Sequence, residues 1–209
     1  MTEAEWNRCE DPQKMLAFLQ TTGRATDRKV WLFACACTRL ILQLQDSEPD
    51  RRCVETAEKL ADGLATEEDL WEADQGLLWD IRWYRTWWPW NSAGRAVDCW
   101  RDEVYSNPQR SAAELLPLLG DIFGPIPFRF VTIDPSLLLW NEGLAVRLAQ
   151  VADDDRLLPA GHLDPDRLAV LADALEEAGC ADAELLAHLR SPGPHVRGCF
   201  ALDAVLGKS

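Results

Sequence analysis

Histidine is scarce in this chain, with three among 209 residues at positions 162, 188 and 195. Acid–base or nucleophilic schemes that run through an imidazole therefore have few places to sit. None of the compact catalytic or nucleotide signatures occurs: no G-x-S-x-G, no Walker loop, no dinucleotide fingerprint and no H-E-x-x-H. No run approaches the ~18 apolar residues of a membrane-spanning helix. The opening MTEAEWNRCEDPQK is polar where a signal peptide is apolar. Positive charge is short as well, with 21 Lys and Arg against 35 Asp and Glu, a net charge of −14. Such a surface repels phosphate, which argues against direct nucleic-acid binding. The expectation is a soluble, cytoplasmic chain that is not an enzyme. Disorder is excluded in turn, because 47% of the residues are hydrophobic and can offset chain entropy by burial.

Seven cysteines stand at irregular spacing, an odd count that favours reduced thiols over a disulfide framework. On a helix, Cys35 and Cys37 point roughly 200° apart. They read as small core fillers rather than a redox pair.

Nearly every segment carries helix signals. Thr2 with Glu5 forms a capping box for a short first helix. Asp11-Pro12 opens a second, stopped by Gly23. The stretch from Thr26, TDRKVWLFACACTRLILQLQ, reads as a helix buried on most sides. Further helices are expected from Pro49, from Glu67 to about Trp87, over 92–105 and over 111–122, with Pro117 bending the last. The segment Gly124 to Pro135, GPIPFRFVTIDP, reads as an extended connector with a short strand at most. After it come expected helices over 136–151, 165–178, 183–190 and 196–206, with Asp164-Pro165 and Asp182 as starts and Gly179 and Gly207 as stops. The fold class is thus all-α, a bundle of about nine or ten helices. Residues 1–123 and 136–209 form its two regions, expected to pack as one body. Split at residue 105, the two halves carry the same net charge, so neither end is an acidic tail or basic arm.

The opening MTEAEWNRCEDPQKMLAFL, the run DRKVWLFACACTRLI, EKLADGLATEEDL and the tail LADALEEAGCADAELLAHLRSPGPHVRGCFALDAVLGK resemble a paralogous family of uncharacterised bacterial proteins. The resemblance covers both ends and leaves the tryptophan-rich middle, near residues 70–110, as the variable part. It implies a shared fold and a cytoplasmic setting and brings no activity with it.

Tryptophan is the compositional anomaly, with ten in the chain and six of them between Trp71 and Trp90. Trp79, Trp83 and Trp87 share one helical stripe. Trp79 and Trp83 suit a core seam. In WYRTWWPWN, the residues Trp83, Arg85, Trp87, Trp88 and Trp90 suit an exposed anchor for a protein partner or a second copy of the chain, since Trp and Arg dominate binding hot spots.

The tail holds a possible zinc site in Cys180, His188, His195 and Cys199, right by donor type but not by the usual paired spacing. The alternative is that the cysteines pack in the core and the histidines satisfy carbonyls. His195 with Arg197, after the rigid Pro192-Gly193-Pro194, is a candidate anion site at the start of the last helix. Asp153-Asp154-Asp155 reads as a solvated helix end rather than a metal cluster. Three functions follow in order: a non-enzymatic helical interaction or scaffold module, a small zinc-stabilised domain, and an acidic decoy for a nucleic-acid-binding protein. No cofactor other than zinc is implied.

Overall fold

The computed structural model describes residues 1–42, 48–74, 93, 108–129 and 131–208. Among them lie ten helices: α1 (Glu3–Trp6), α2 (Pro12–Thr22), α3 (Asp27–Leu42), α4 (Glu48–Ala61), α5 (Glu67–Asp74), α6 (Pro108–Phe123), α7 (Pro135–Asp154), α8 (Pro165–Glu177), α9 (Ala183–Leu189) and α10 (Phe200–Leu206). The described residues contain no strand, only isolated bridges pairing His162 with Leu157 and with Val196. The fold is all-α.

The helix starts follow side-chain chemistry. Thr2 and Glu5 close a reciprocal capping box on α1. The Asp11 carboxylate accepts from the Gln13 and Lys14 amides ahead of Pro12, and Gly23 ends α2 in the left-handed conformation that favours glycine. Asp134, Asp164 and Asp182 cap α7, α8 and α9 in the same way.

Three expectations need correction. The first part of the connector, 124–129, is not extended: it runs as successive turns, the Ile126 amide bonding to Phe123 O at 2.8 Å and the Phe128 amide to Pro125 O at 2.9 Å, while 131–134 carry no regular structure. These turns bring Phe128 against Phe18 and Trp6, so aromatic packing outweighs the weak helix propensity that suggested an extended connector. Helix α7 is broken at 140–143, where Asn141, Glu142 and Gly143 all take positive φ. The last helix begins at Phe200 rather than 196, because Val196 is held in its bridge to His162 and Gly198 turns with φ 90°.

Buried apolar residues form two adjoining clusters. The first is built on α2, α3, α4 and α6, around Leu19, Phe33, Val54, Leu119 and Phe123. The second is built on α7 to α10, around Ala149, Leu171, Leu189 and Leu202. Cys35 and Cys37 are fully enclosed in the first as expected, and burial pushes both thiols up.

Buried ion pairs stitch the two clusters together. Arg28 bonds Asp62 at 2.7 Å and Asp203 at 2.7 Å, and Lys29 reaches Asp203 at 2.5 Å and Gly198 O at 2.7 Å. Arg197 closes on Asp62 at 2.5 Å. Glu58 on α4 accepts from Arg39 at 2.6 and 2.9 Å and from Arg156 at 2.8 Å, while Arg39 also donates to Pro159 O. Lys208 pairs with Asp153 at 2.5 Å, so Asp153 is a buried ion-pair partner and not part of a solvated helix end.

Candidate metal centre

Helix α6 turns a continuous apolar face, Leu115, Leu118, Leu119, Ile122 and Phe123, into the first cluster. Asp121 sits among these residues, fully enclosed. A carboxylate so placed must be matched by donors, because an unpaired buried charge costs several kcal/mol. The donors come from the other end of the chain. His188 lies in the last turn of α9, a helix positioned by its Asp182 cap and by Leu185, Leu186 and Leu189 buried in the second cluster. His195 follows Pro192-Gly193-Pro194, where Gly193 has φ 90° and a Cβ there would meet the His195 amide nitrogen at 2.8 Å. Only glycine lets the chain fold back this closely. Cys199 precedes α10 and makes no side-chain cap.

The four side chains converge. His188 Nε2 lies 3.0 Å from Asp121 Oδ1 and 3.3 Å from Cys199 Sγ. His195 Nδ1 lies 2.8 Å from the same Asp121 Oδ1, and Asp121 Oδ2 accepts from the Val196 amide at 2.8 Å. One donor atom from each of Asp121, His188, His195 and Cys199 falls within 4.8 Å of the others. Zinc–ligand bonds of ~2.0–2.3 Å imply tetrahedron edges of roughly 3.3–3.5 Å. Three of the six spacings, 2.8, 3.0 and 3.3 Å, are at or below those edges, and the others reach up to 4.8 Å.

The hydrogen-bond ledger around His195 is the informative part. Its Nε2 lies 3.0 Å from the Ser191 carbonyl, which takes an N–H, and 3.2 Å from the Ser191 hydroxyl, which can donate to a lone pair. A neutral ring protonated on Nδ1 meets Asp121 and accepts from that hydroxyl, whereas one protonated on Nε2 meets the carbonyl and turns a lone pair toward the carboxylate. A second proton on the ring, or a cation held between Nδ1, Asp121 and their neighbours, would satisfy both the carboxylate and the carbonyl. Burial works against the protonated ring, but the hydrogen bond and charge of Asp121 win and hold His195 above its usual value. Burial likewise opposes ionisation of Asp121, and the two histidines outweigh it and hold the carboxyl down. Burial, then the charge of Asp121, push the Cys199 thiol well up. A bound metal ion reverses that last effect by coordinating the thiolate.

A relay centred on Cys199 does not fit this geometry, although Asp121, His195 and Ser191 do lie in relay order, the carboxylate 2.8 Å from Nδ1 and the Ser191 hydroxyl 3.2 Å from Nε2. In a Cys–His–Asp relay the carboxylate orients one ring nitrogen while the other meets the thiol. Here Asp121 and Cys199 both meet Nε2 of His188.

Three of the four ligands read from the sequence, His188, His195 and Cys199, are therefore together. Cys180 is not with them: it packs half-buried at the end of α8, its amide bonded to Leu175 O. Asp121 takes the fourth place. The anion site is not formed either, because His195 is spent on Asp121 and Arg197 on Asp62, so each cation already has its carboxylate. The candidate anchor Trp83, Arg85, Trp87, Trp88 and Trp90 lies outside the described residues.

No family model, no curated protein and no solved structure matches the chain.

Proposed function

We propose that the chain is a zinc-stabilised helical scaffold in which Asp121, His188, His195 and Cys199 hold one tetrahedral ion. The observation that carries this reading is the convergence of four donor atoms on a buried point, with His195 Nδ1 facing Asp121 and its Nε2 turned to the Ser191 carbonyl and hydroxyl. That second-sphere bond to a backbone carbonyl is what a metal-bound imidazole ordinarily makes. Two anionic ligands, a carboxylate and a thiolate, would neutralise the charge of Zn²⁺, so the occupied centre would bury no net charge. Two imidazoles with one sulfur and one oxygen suit zinc better than the all-oxygen shells of calcium or magnesium.

Four protein ligands fill a tetrahedron and leave no position for substrate, which favours a structural role over a catalytic one. The ion would join α6, which belongs to the first core, to α9 and the start of α10, which belong to the second. Its work would be to fix one half of the molecule on the other.

The test is metal analysis of protein purified under reducing, chelator-free conditions, together with cobalt replacement. The expected results are one zinc per chain and a cobalt form with a sulfur-to-metal charge-transfer band that Cys199→Ser removes and Cys180→Ser leaves intact. Absence of bound zinc together with a cobalt spectrum lacking tetrahedral bands refutes the reading, and leaves His195 as a buried imidazolium paired with Asp121.

A further inference from the structure

Beside the His188 ring, and open to the outside, lies a cavity of about 180 Å³. One water needs ~10–15 Å³ by the same measure, so there is room for a small molecule. The lining comes from α1, α6, α9, α10 and the turn after α6, and three features of it bear on what it would hold.

Three aromatic residues, Trp6, Phe128 and Phe200, contribute to its walls, Trp6 and Phe200 through the 4% of each that is exposed. Trp6 and Phe128 meet edge to face at 6.1 Å and 70°, and Phe200 lies 4.4 Å from the His188 ring. Two carboxylates, Glu3 and Glu184, and the polar side chains of Asn7 and His188 also line it, and no Lys or Arg is part of it. Arg129 pairs with Glu184 from outside, but it shares its guanidinium with Asp182, so the group remains net negative. The third feature is Gly120. It lies inside α6, it does not have positive φ, and a Cβ built on it meets nothing within 4 Å. Glycine in a helix interior costs roughly 0.5–1 kcal/mol against alanine. Neither backbone geometry nor packing asks for glycine here, and the missing side chain is what leaves the α6 wall of the cavity open.

Aromatic faces carry the negative part of the ring quadrupole, and carboxylates add full charge. An anion is repelled by such a lining. A neutral molecule does not answer the excess negative charge that remains after Arg129 has paired. A cation with an apolar surface satisfies both the rings and the acids. We propose that this cavity binds small alkylammonium cations against Trp6, Phe128 and Phe200, with Glu3 and Glu184 supplying the counter-charge. Of the residues lining the cavity, His188 alone is shared with the candidate metal centre.

The experiment is a titration of the full chain with choline chloride and, separately, with its uncharged isostere 3,3-dimethylbutan-1-ol at matched ionic strength. The Trp6 indole N–H resonance reports binding. Choline is expected to shift it saturably, binding about five- to thirty-fold more tightly than the alcohol, the range expected of a cation–π contact as it becomes desolvated. Gly120→Leu fills the space and is expected to abolish the shift. Glu3→Gln, an exposed change that leaves the core untouched, is expected to weaken choline several-fold and the alcohol not at all. Equal affinity for the two probes, no saturable choline shift, or undiminished choline binding by Glu3→Gln would each overturn the proposal.

Discussion

Replacing Glu58 by glutamine tests whether the buried ion pairs are what fix the two halves of the molecule together. Glu58 is one of the most enclosed acids in the protein, its side chain 3% exposed, and it answers two guanidiniums, Arg39 and Arg156. Glu58→Gln keeps the volume and removes the charge, leaving Arg39 buried with only Pro159 O and the neutral amide. Removing one partner of a buried pair costs ~3–5 kcal/mol, against ~0–1 kcal/mol for an exposed pair. At ~2–4 °C per kcal/mol for a chain of this size, the melting temperature should fall by about 6–20 °C. Arg190→Ala is the control, since Arg190 is 37% exposed on Asp173 and Glu176 and should cost no more than ~1 kcal/mol. Replacing Arg39, Glu58 and Arg156 together by Met, Leu and Leu should recover most of the loss, because no uncompensated charge remains. The acid limb gives a second readout. Burial opposes ionisation of Glu58, but the two arginines hold it below its ordinary value of 4.5. A depressed carboxyl stabilises fully above the unfolded value and loses that contribution as pH falls through the folded one. Wild-type stability should therefore drop steeply below about pH 4.5, and Glu58→Gln should flatten that part of the curve. Thermal melts and urea titrations across pH check both statements. A Glu58→Gln cost no larger than that of Arg190→Ala would refute the reasoning.

The remaining predictions are simpler. Zinc at a free concentration one hundred times its dissociation constant should stabilise the protein by ~2.7 kcal/mol, raising the melting temperature by about 5–11 °C. Chelator should reverse this, Cys199→Ser should abolish it, and Cys180→Ser should leave it intact, as read by calorimetry with and without metal. Gly120→Ala should stabilise by ~0.5–1 kcal/mol in urea unfolding, since helix propensity improves and the added methyl meets open space. Asp50 is fully buried and, among the described residues, neither of its oxygens meets a hydrogen-bond donor. Asp50→Asn should therefore stabilise by about 1 kcal/mol or more, and a loss of stability would mean that the carboxylate has a partner.

Local chemistry made much of the fold legible in the sequence. Thr2-x-x-Glu5, Asp11-Pro12, Asp164-Pro165 and Asp182 act within a single helical turn, and each does so in the structure. The break in α7 was not legible, because Asn141 and Glu142 leave the helical region alongside a glycine that a helix can tolerate. At the candidate metal centre, the three donors close together in the sequence were recognisable from their chemistry, while Asp121 lies 67 residues from His188. The available signal was physical: a lone acid inside LLPLLGDIF, a stretch whose other residues are mostly buried, has to be met by something. Cys180 has the right donor type and neighbourhood, but its position at the C-terminal end of α8 turns it into the second core. The buried partners of Arg28, Arg39 and Arg197 were equally hidden, since charge composition does not say which acids are enclosed.

The span of those ion pairs along the chain has a consequence for how the protein is made. Arg28 meets Asp203, 175 residues later, and Lys29 meets the Gly198 carbonyl 169 residues later. At ~5–20 residues per second, a ribosome delivers those partners roughly 9–35 s after the cations. Until then Lys29 lacks the carboxylate and carbonyl it is buried against, and Arg28 has only Asp62. Final closure of the first half of the nascent polypeptide is thereby deferred until the later segments emerge, and in the interval it is a natural client for a holding chaperone.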